Sequence, residues 1–227
     1  MSWPVSNPLS ESVPAVPSAL PRHTFLLSHG QLTAMYVRDA KNREEVWLLD
    51  HIEAMGLDET TFRSRDYVVA IDERSNEKAG FGRIRIHKTD DGELCELTSI
   101  GVLESWRDQG VGAHVIERLV EQARDQGFDT VYSLTSATDY LAQFGFQPVE
   151  TSDLPEKLQD RLDAKREGTD PDAVGMVLDA DEFRMPDRLR ERFKRARPAE
   201  EESEPEESAE DFGIDPENTT YKYDTGG

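Results

Sequence analysis

The chain has little positive charge, a single cysteine and few histidines. Lysine and arginine number 26 against 47 aspartates and glutamates, so the 227 residues carry a formal net charge of −21 at pH 7. So acidic a chain repels nucleic-acid phosphate and anionic lipid, and we expect neither nucleic acid nor membrane as a partner. Cys95 alone cannot form an intramolecular disulfide, and the 5 histidines are scattered, so no metal site is expected.

Long apolar runs and a leader segment are also missing. No apolar run approaches the roughly 20 residues that span a bilayer, and the N-terminus lacks a basic start followed by an apolar stretch. These absences indicate a protein of a reducing cytoplasm without a membrane span. Lysine is scarcer than arginine, 7 against 19, and carboxylates occur throughout the chain. This pattern favours a halophilic, salt-adapted protein over an ordinary acidic protein with an acidic tail, because salt screens self-repulsion.

Composition divides the chain into four parts. Residues 1–21 contain five prolines, which predicts a loosely ordered arm. Residues 22–186 carry the alternating patterns of one folded domain. Residues 187–198 are basic with two apolar residues four apart, which predicts a short helix packed on the domain; a nucleic-acid arm is the alternative. Residues 199–227 hold eleven Asp or Glu and one Lys, which predicts a disordered acidic tail.

Periodicity within the domain predicts strands that flank helices. The predicted helices cover 41–57, 109–126 and 137–144, and the predicted strands cover 67–71, 79–87, 93–103, 130–134, 146–150 and 173–178. Turn sequences between the first three strands favour an antiparallel meander, and a charged helical segment precedes the last strand. The expected fold class is α/β, with a mixed, mostly antiparallel central sheet flanked by helices.

A glycine-bearing turn leads from strand 93–103 into helix 109–126. Gly110 and Gly112 lack side chains there, so a pyrophosphate group can approach the unpaired amides of the first helical turn. Arg107 adds a positive charge. A P-loop is excluded because no Gly-Lys-Ser/Thr follows, and a Rossmann site would need a third glycine and a parallel context. The turn therefore predicts a phosphate cradle.

Two motifs carry a family resemblance. The run Arg107-Asp108-Gln109-Gly110-Val111-Gly112 resembles the Gln/Arg-x-x-Gly-x-Gly/Ala signature of the GNAT N-acetyltransferase superfamily. The short helix that ends in Gly145-Phe146 is similar to a second signature of that family, so the resemblance covers about residues 30–180. Leu154-Pro155 and the segment after it are similar to the branch that includes the acetyltransferase domain of N-acetylglutamate synthase. With its acidic composition, the chain resembles a haloarchaeal-type member.

The resemblance implies the acyl-CoA N-acyltransferase fold, acetyl-CoA as co-substrate and no metal. It places the coenzyme across splayed strands, with its pyrophosphate on the amides that follow position 108. It also implies direct attack of an amine on the thioester, whose carbonyl a backbone N–H near Val102 would polarise. The coenzyme-binding residues that it implies are Val102, Arg107, Asp108, Gln109, Gly110, Val111, Gly112 and Ala113.

Candidate catalytic residues follow from the same resemblance. Glu96 lies where several family members carry a general-base glutamate, and it could act directly or through water. The alternative is a strand glutamate that faces solvent or pairs with Arg83 or Arg85. The family often places tyrosine where this chain has Leu141. Tyr140, about 100° away around a helix, is kept as the candidate acid, with core packing as the alternative.

Five side chains receive structural interpretations. Cys95 alternates to the face opposite the candidate base and is interpreted as a buried thiol rather than an acyl-enzyme nucleophile. His114 is interpreted as a helix-surface residue rather than a proton relay, and Trp106 as a core residue. Arg83 and Arg85 share one strand face, interpreted as solvated; an anchor for an acceptor carboxylate is the alternative.

The expected function is transfer of an acetyl group from acetyl-CoA to a primary amine of a small molecule or peptide. The synthase-branch likeness favours a free amino acid as acceptor. The alternatives are a non-catalytic acyl-CoA-sensing or interaction module, a protein N-acetyltransferase, and a protein that binds partners through its tail. A homodimer is compatible with the sequence.

Overall fold

A seven-stranded sheet organises the part of the chain that the computed structural model describes, residues 35–58 and 60–199. The strands lie in the order β1-β2-β3-β4-β5-β7-β6. They are β1 (Met35–Asp39), β2 (Tyr67–Asp72), β3 (Lys78–Thr89), β4 (Gly92–Val102), β5 (Thr130–Thr135), β6 (Gln147–Val149) and β7 (Val174–Asp179). The helices are α1 (Glu45–Ala54), α2 (Val111–Asp125), α3 (Thr138–Ala142), α4 (Glu156–Glu167) and α5 (Asp187–Phe193).

Every neighbouring strand pair in the sheet is antiparallel except β4 and β5. These two parallel strands pair only over Cys95–Leu97 and Val131–Ser133, and they separate beyond that point. A parallel pair needs a long crossover connection, which α2 supplies here. The fold class predicted from the sequence, a mixed and mostly antiparallel sheet flanked by helices, is confirmed.

Side chains alternate along the strands and give the sheet two apolar faces. On one face, α2 buries Val115, Leu119 and Val120 against the sheet, in a cluster that also contains Val68 and Ala70 of β2. On the other face, α1 covers Tyr67, Val69 and Ile71 of β2, and α4 covers Leu134 of β5. The strong amphipathic pattern of α2 arises because that helix packs across the middle of the sheet.

Among the differences from the predicted elements are those at β1, α1 and α3. β1 was not predicted; it is a five-residue edge strand paired only with β2, and a short edge strand gives a weak alternating signal. The helix predicted over 41–57 begins at Glu45, because a 3₁₀ turn precedes it. The Glu44 carboxylate closes this turn by accepting from the Lys41 amide at 2.8 Å. The helix predicted over 137–144 contracts to α3.

The basic segment contains α5, whose Leu189 and Phe193 are buried in the main core together with Ala196. The proline-rich arm at 1–21 and the acidic tail beyond residue 199 lie outside the described residues, so both stay predictions. No helix among residues 35–58 and 60–199 is long and apolar enough to cross a membrane.

Candidate active site

The site is built where β4 leaves β5. Phe81 pairs with Gly101 and Arg83 with Thr98, so one residue of β3 faces two residues of β4 and the strand bulges. Ser99, in the bulge, adopts a left-handed conformation with φ of +51° and donates its hydroxyl to Asp58 O at 2.6 Å. The bulge redirects β4 away from β5, and this separation leaves room for a ligand between the strand ends.

A cavity of about 690 Å³, here called the cradle cavity, lies at the end of β4 and the start of α2. Its lining includes Val102 from β4, Gly110 and Gly112 from the turn, and Tyr140 from α3. The first hydrogen bond of α2 that closes this turn runs from His114 N to Gly110 O at 3.2 Å. The amides before it lack carbonyl partners one turn back and offer donors to an anion.

The turn needs left-handed backbone at Asp108, with φ of +60°, and at Gly110, with φ of +80°. A Cβ atom on Gly110 would overlap the carbonyl oxygen of Leu189 in α5. The missing side chain at Gly110 therefore makes room for α5. The approach of a pyrophosphate to this position, which the sequence predicts, stays a prediction. At Gly112, a Cβ atom would lie 3.0 Å from Tyr140 Oη and 3.3 Å from Val102 Cγ2, inside the cradle cavity.

The residues implied as coenzyme-binding separate into two groups. Those that line the cradle cavity are Val102, Arg107, Asp108, Gly110, Val111 and Gly112. The side chain of Gln109 instead binds the segment after α5: its Nε2 donates to Arg197 O, and its Oε1 accepts from Arg197 N at 2.7 Å. Ala113 is fully buried in the core and is not part of the lining.

The sequence left open whether Tyr140 borders the site as a candidate acid or packs in the core. Tyr140 and Leu141 both line the cradle cavity, but Leu141 is 4% exposed and packs in the core, whereas Tyr140 is 39% exposed. Burial of the phenol raises the pKa of Tyr140 to about 12, and nearby Arg188 only partly offsets this. The hydroxyl therefore keeps its proton at neutral pH and is available as a hydrogen-bond donor.

A second cavity, of about 310 Å³ and here called the Lys165 cavity, lies on the other side of the strand separation. Its polar lining includes Asp58, Thr98, Ser99 and Lys165. Three residues, Ile100, Ser133 and Thr135, line both this cavity and the cradle cavity. The two cavities therefore meet at the point where β4 and β5 diverge.

Two polar groups of the Lys165 cavity have unused hydrogen-bonding capacity. Thr98 is 4% exposed, and its Oγ1 has no partner among the described residues. Lys165 Nζ donates to Leu134 O at 2.5 Å, which leaves two of its three N–H groups without a partner in the described part of the chain. Burial lowers the pKa of Lys165, while Glu96 and Asp170 oppose this shift.

Glu96 lies behind this cavity, fully buried, on the same strand face as Thr98. Its carboxylate contacts His87 Nε2 at 2.7 Å and accepts from Arg161 Nη2 at 3.1 Å. Burial pushes the pKa of Glu96 upward, but the bonds from His87 and Arg161 outweigh it and the pKa lies below its usual value. The sequence left open whether Glu96 acts as a base, faces solvent or pairs with Arg83 or Arg85. Its burial excludes exposure to solvent, and its arginine partner is Arg161.

Asp58 extends this ionic cluster to the cavity wall. Arg161 Nη2 donates to Asp58 Oδ2 at 2.6 Å, and Arg85 Nη1 donates to the same oxygen at 3.2 Å. Burial raises the pKa of Asp58, but hydrogen bonds from Thr60 and the charge of Arg161 bring it well below its usual value. Sequence reasoning missed Asp58, Arg161 and Lys165. The one signal available was the spacing of Arg161 and Lys165, which are four residues apart on α4 and so lie on one face of that helix.

The structure corrects two interpretations and bears out two others. Arg83, expected on a solvated face, is 1% exposed and donates to Thr60 O at 2.8 Å. His114, expected on the surface, is covered by α5, and its ring centroid lies 3.8 Å from that of Phe193. Cys95 is fully buried, and burial raises its thiol pKa to about 12; Trp106 is also fully buried.

No group of three His, Cys, Asp or Glu suited to a metal occurs within 35–58 and 60–199.

A seven-stranded sheet whose two parallel strands separate beside a glycine turn and a helix N-terminus is the acyl-CoA N-acyltransferase fold. The family model described as "Acetyltransferase (GNAT) family" matches residues 31–146, just over half of the chain. The chain therefore belongs to the GNAT acetyltransferase family.

Solved structures share the fold at low sequence identity. N-acetylglutamate synthase from Neisseria gonorrhoeae, complexed with coenzyme A and N-acetyl-glutamate, matches with a TM-score of 0.51 and 18% identity over 63% of this chain and 34% of its own. A Mycobacterium tuberculosis protein in complex with CoA matches with a TM-score of 0.53 and 18% identity over 63% of this chain and 98% of its own.

Curated relatives match over a shorter stretch. An amino-acid acetyltransferase of Pseudomonas aeruginosa is 36% identical over 66 residues, 29% of this chain and 15% of the relative. An amino-acid acetyltransferase of Mycobacterium tuberculosis is 27% identical over 70 residues, 31% of this chain and 40% of the relative. The chain thus matches less than half the length of these relatives.

Proposed function

We propose that this protein transfers the acetyl group of acetyl-CoA to the primary amine of a free amino acid. The observation that carries the proposal is the meeting of the cradle cavity and the Lys165 cavity where β4 and β5 diverge. A thioester that enters from one cavity and an amine that enters from the other would meet at Ile100, Ser133 and Thr135. Proximity and orientation of two bound reactants supply much of the rate enhancement of such a transfer.

The residues of the cradle cavity fit acetyl-CoA. The first-turn amides of α2 and the guanidinium of Arg107 suit its phosphate groups, and the absence of a side chain at Gly112 keeps space open beside Tyr140 and Val102. When bound, acetyl-CoA supplies the activated acyl group. Every other requirement falls on the chain: to orient the thioester, to accept a proton from the ammonium, and to supply a proton to the departing thiolate.

We assign proton transfer to Glu96 and Tyr140. The amine nitrogen forms the new N–C bond and the C–S bond breaks. After attack the nitrogen loses a second proton, which balances the proton that the thiolate takes up. Glu96 would accept the ammonium proton through a water molecule, because it lies two positions from Thr98, which lines the Lys165 cavity. Tyr140 would supply a proton on the cradle side, where its hydroxyl adjoins Gly112. The amide near Val102 would polarise the thioester carbonyl.

The cation in the Lys165 cavity supports an amino-acid acceptor over a simple amine. Lys165 has two uncommitted N–H groups and Thr98 an uncommitted hydroxyl, a set that matches an α-carboxylate. The names of the two curated relatives described above, both amino-acid acetyltransferases, agree with this chemistry. A peptide amine is an alternative acceptor, and it would bring no α-carboxylate next to the reacting nitrogen.

The proposal is tested by measuring CoA release from acetyl-CoA with amino acids, their decarboxylated amines, polyamines and short peptides, in molar KCl. We expect release with amino acids and little with the decarboxylated amines. Lys165→Met should raise KM for the amino acid by about tenfold or more while leaving KM for acetyl-CoA unchanged. The matched control is Lys157→Met, on the same helix but outside the cavity. Equal turnover of amino acids and their decarboxylated amines would contradict the amino-acid assignment.

A non-catalytic acyl-CoA-sensing module is the second candidate, and Leu141 favours it because the family's tyrosine is missing there. A sensor would show acetyl-CoA-dependent thermal stabilisation without release of CoA with any amine. Gly112→Glu, which places a carboxylate beside Tyr140, should abolish the stabilisation in either case. Loss of neither binding nor turnover in this variant would contradict both candidates.

We further propose that the protein works in a salt-rich cytosol. The net charge of −21 and the excess of arginine over lysine support this setting.

A further inference from the structure

Helix α5 and its basic side chains form one wall of the cradle cavity. Arg188 and Arg192 lie four residues apart, on one face of the helix, and both line the cavity. Arg107 lines it from the turn before α2, so three guanidinium groups border the same space.

The helix is fixed to the cradle by contacts along its length. Leu189 and Phe193 are buried, and Gly110 has no side chain at the point where the Leu189 carbonyl approaches. Arg190 Nη2 donates to Glu117 of α2 at 2.6 Å, and Arg197 N donates to Gln109 Oε1 at 2.7 Å. A segment held in this way on both sides of Arg192 presents that side chain to the cavity in a defined position.

The two arginines retain hydrogen-bonding capacity. Arg192 Nη1 donates to Asp108 O at 3.2 Å, and Arg188 Nη2 donates to Gln143 Oε1, while each guanidinium carries five N–H groups. The acidic residues that line the cavity are Asp108 and Asp139, so cations outnumber anions there in a chain of net charge −21. Such a local reversal of charge beside first-turn amides is suited to a ligand with several phosphate oxygens.

We propose that α5 is part of the coenzyme site and that Arg188 and Arg192 bind phosphate groups of acetyl-CoA. The inference rests on the proposed function for the identity of the coenzyme. It assigns a binding role to a C-terminal element outside the segment, 31–146, that the family model matches. In this arrangement α5 packs against the turn before α2 and borders the cradle cavity beside it.

The test is calorimetric titration of the full chain with CoA, over a series of KCl concentrations. Arg188→Gln and Arg192→Gln should each weaken CoA binding by about tenfold and reduce its dependence on salt. Lys194→Gln is the matched control: it removes the same charge from the segment just after α5, at a side chain that pairs with Glu191 and does not line the cavity. Thermal melts of the variants verify that each remains folded.

Dephospho-CoA distinguishes the phosphate that is bound. If the variants weaken CoA and dephospho-CoA equally, the arginines hold the diphosphate; if they weaken only CoA, they hold the 3′-phosphate. Both results support the proposal. Wild-type affinity in both arginine variants would overturn it and leave the proposed function intact, whereas a wild-type protein that binds no CoA would overturn both.

A further control addresses unspecific anion binding. A separate cavity of about 580 Å³ beside β3 is also basic, with Arg63, Arg65, Lys88 and Lys157 in its lining, and shares no residue with the cradle cavity. Arg63→Gln should leave CoA binding unchanged. If it weakens binding as much as Arg192→Gln does, the effect is one of overall charge, and the assignment of α5 is wrong.

Discussion

At the residue scale, the candidate base and the candidate acid have opposite electrostatic surroundings. Glu96 is held ionised by Arg161 and His87, whereas burial keeps Tyr140 protonated. A pair of groups that are held in opposite protonation states suits a proton acceptor and a proton donor. The low pKa of Glu96 makes it a weak base, so its contribution depends on position rather than on basicity.

Substitution of Glu96 tests this role. In Glu96→Gln we expect kcat to fall by about 10²–10³-fold while the Kd of CoA stays unchanged, because the residue lies away from the cradle cavity. Glu93→Gln, on the same strand but half exposed and paired with Lys88, is the control and should keep full activity. Unchanged kcat in a folded Glu96→Gln protein would remove Glu96 from the mechanism.

His114 gives a pH-dependent prediction. Burial, and secondly the charge of Arg190, lowers the pKa of His114 from its ordinary value of 6.5 to about 4 in the folded protein. Between these two pH values His114 is protonated in the unfolded chain but not in the folded protein. The free energy of unfolding therefore falls as pH drops from about 6.5 towards 4. This contribution amounts to about 3 kcal/mol. Denaturant titrations should show a smaller loss over this range in His114→Gln; an identical pH profile would contradict the burial argument.

At the element scale, the close approach of α5 to the turn before α2 explains why position 110 requires glycine. Gly110→Ala must place a Cβ atom at φ of +80° and against the Leu189 carbonyl. We expect a loss of about 2–4 kcal/mol in the free energy of unfolding and weaker CoA binding, since α5 would be displaced. Gly112→Ala meets side-chain atoms rather than backbone, Tyr140 Oη at 3.0 Å and Val102 Cγ2 at 3.3 Å, and should cost less. Equal stability of the two variants in urea unfolding would contradict the close packing of α5.

At the scale of the whole molecule, charge determines the solution behaviour. A net charge of −21 opposes the compact state at low ionic strength, and salt screens this repulsion with a Debye length of about 3 Å at 1 M. Thermal unfolding of the full chain should therefore shift to higher temperature as KCl rises from millimolar to molar concentrations. A melting temperature independent of KCl, or one that falls, would contradict adaptation to salt.

The sequence by itself determined the order of most elements, the fold class and the glycine turn before α2, because these depend on local periodicity and on a contiguous motif. It pointed to Glu96 and Tyr140 but not to their surroundings. The tertiary structure alone decided the joining of Asp58, Arg161 and Lys165 into one site, the cover of α5 over Gly110, and the burial of Arg83. These contacts join residues far apart in the chain, 103 positions for Arg161 and Asp58, and no local pattern encodes which distant side chains share a cavity.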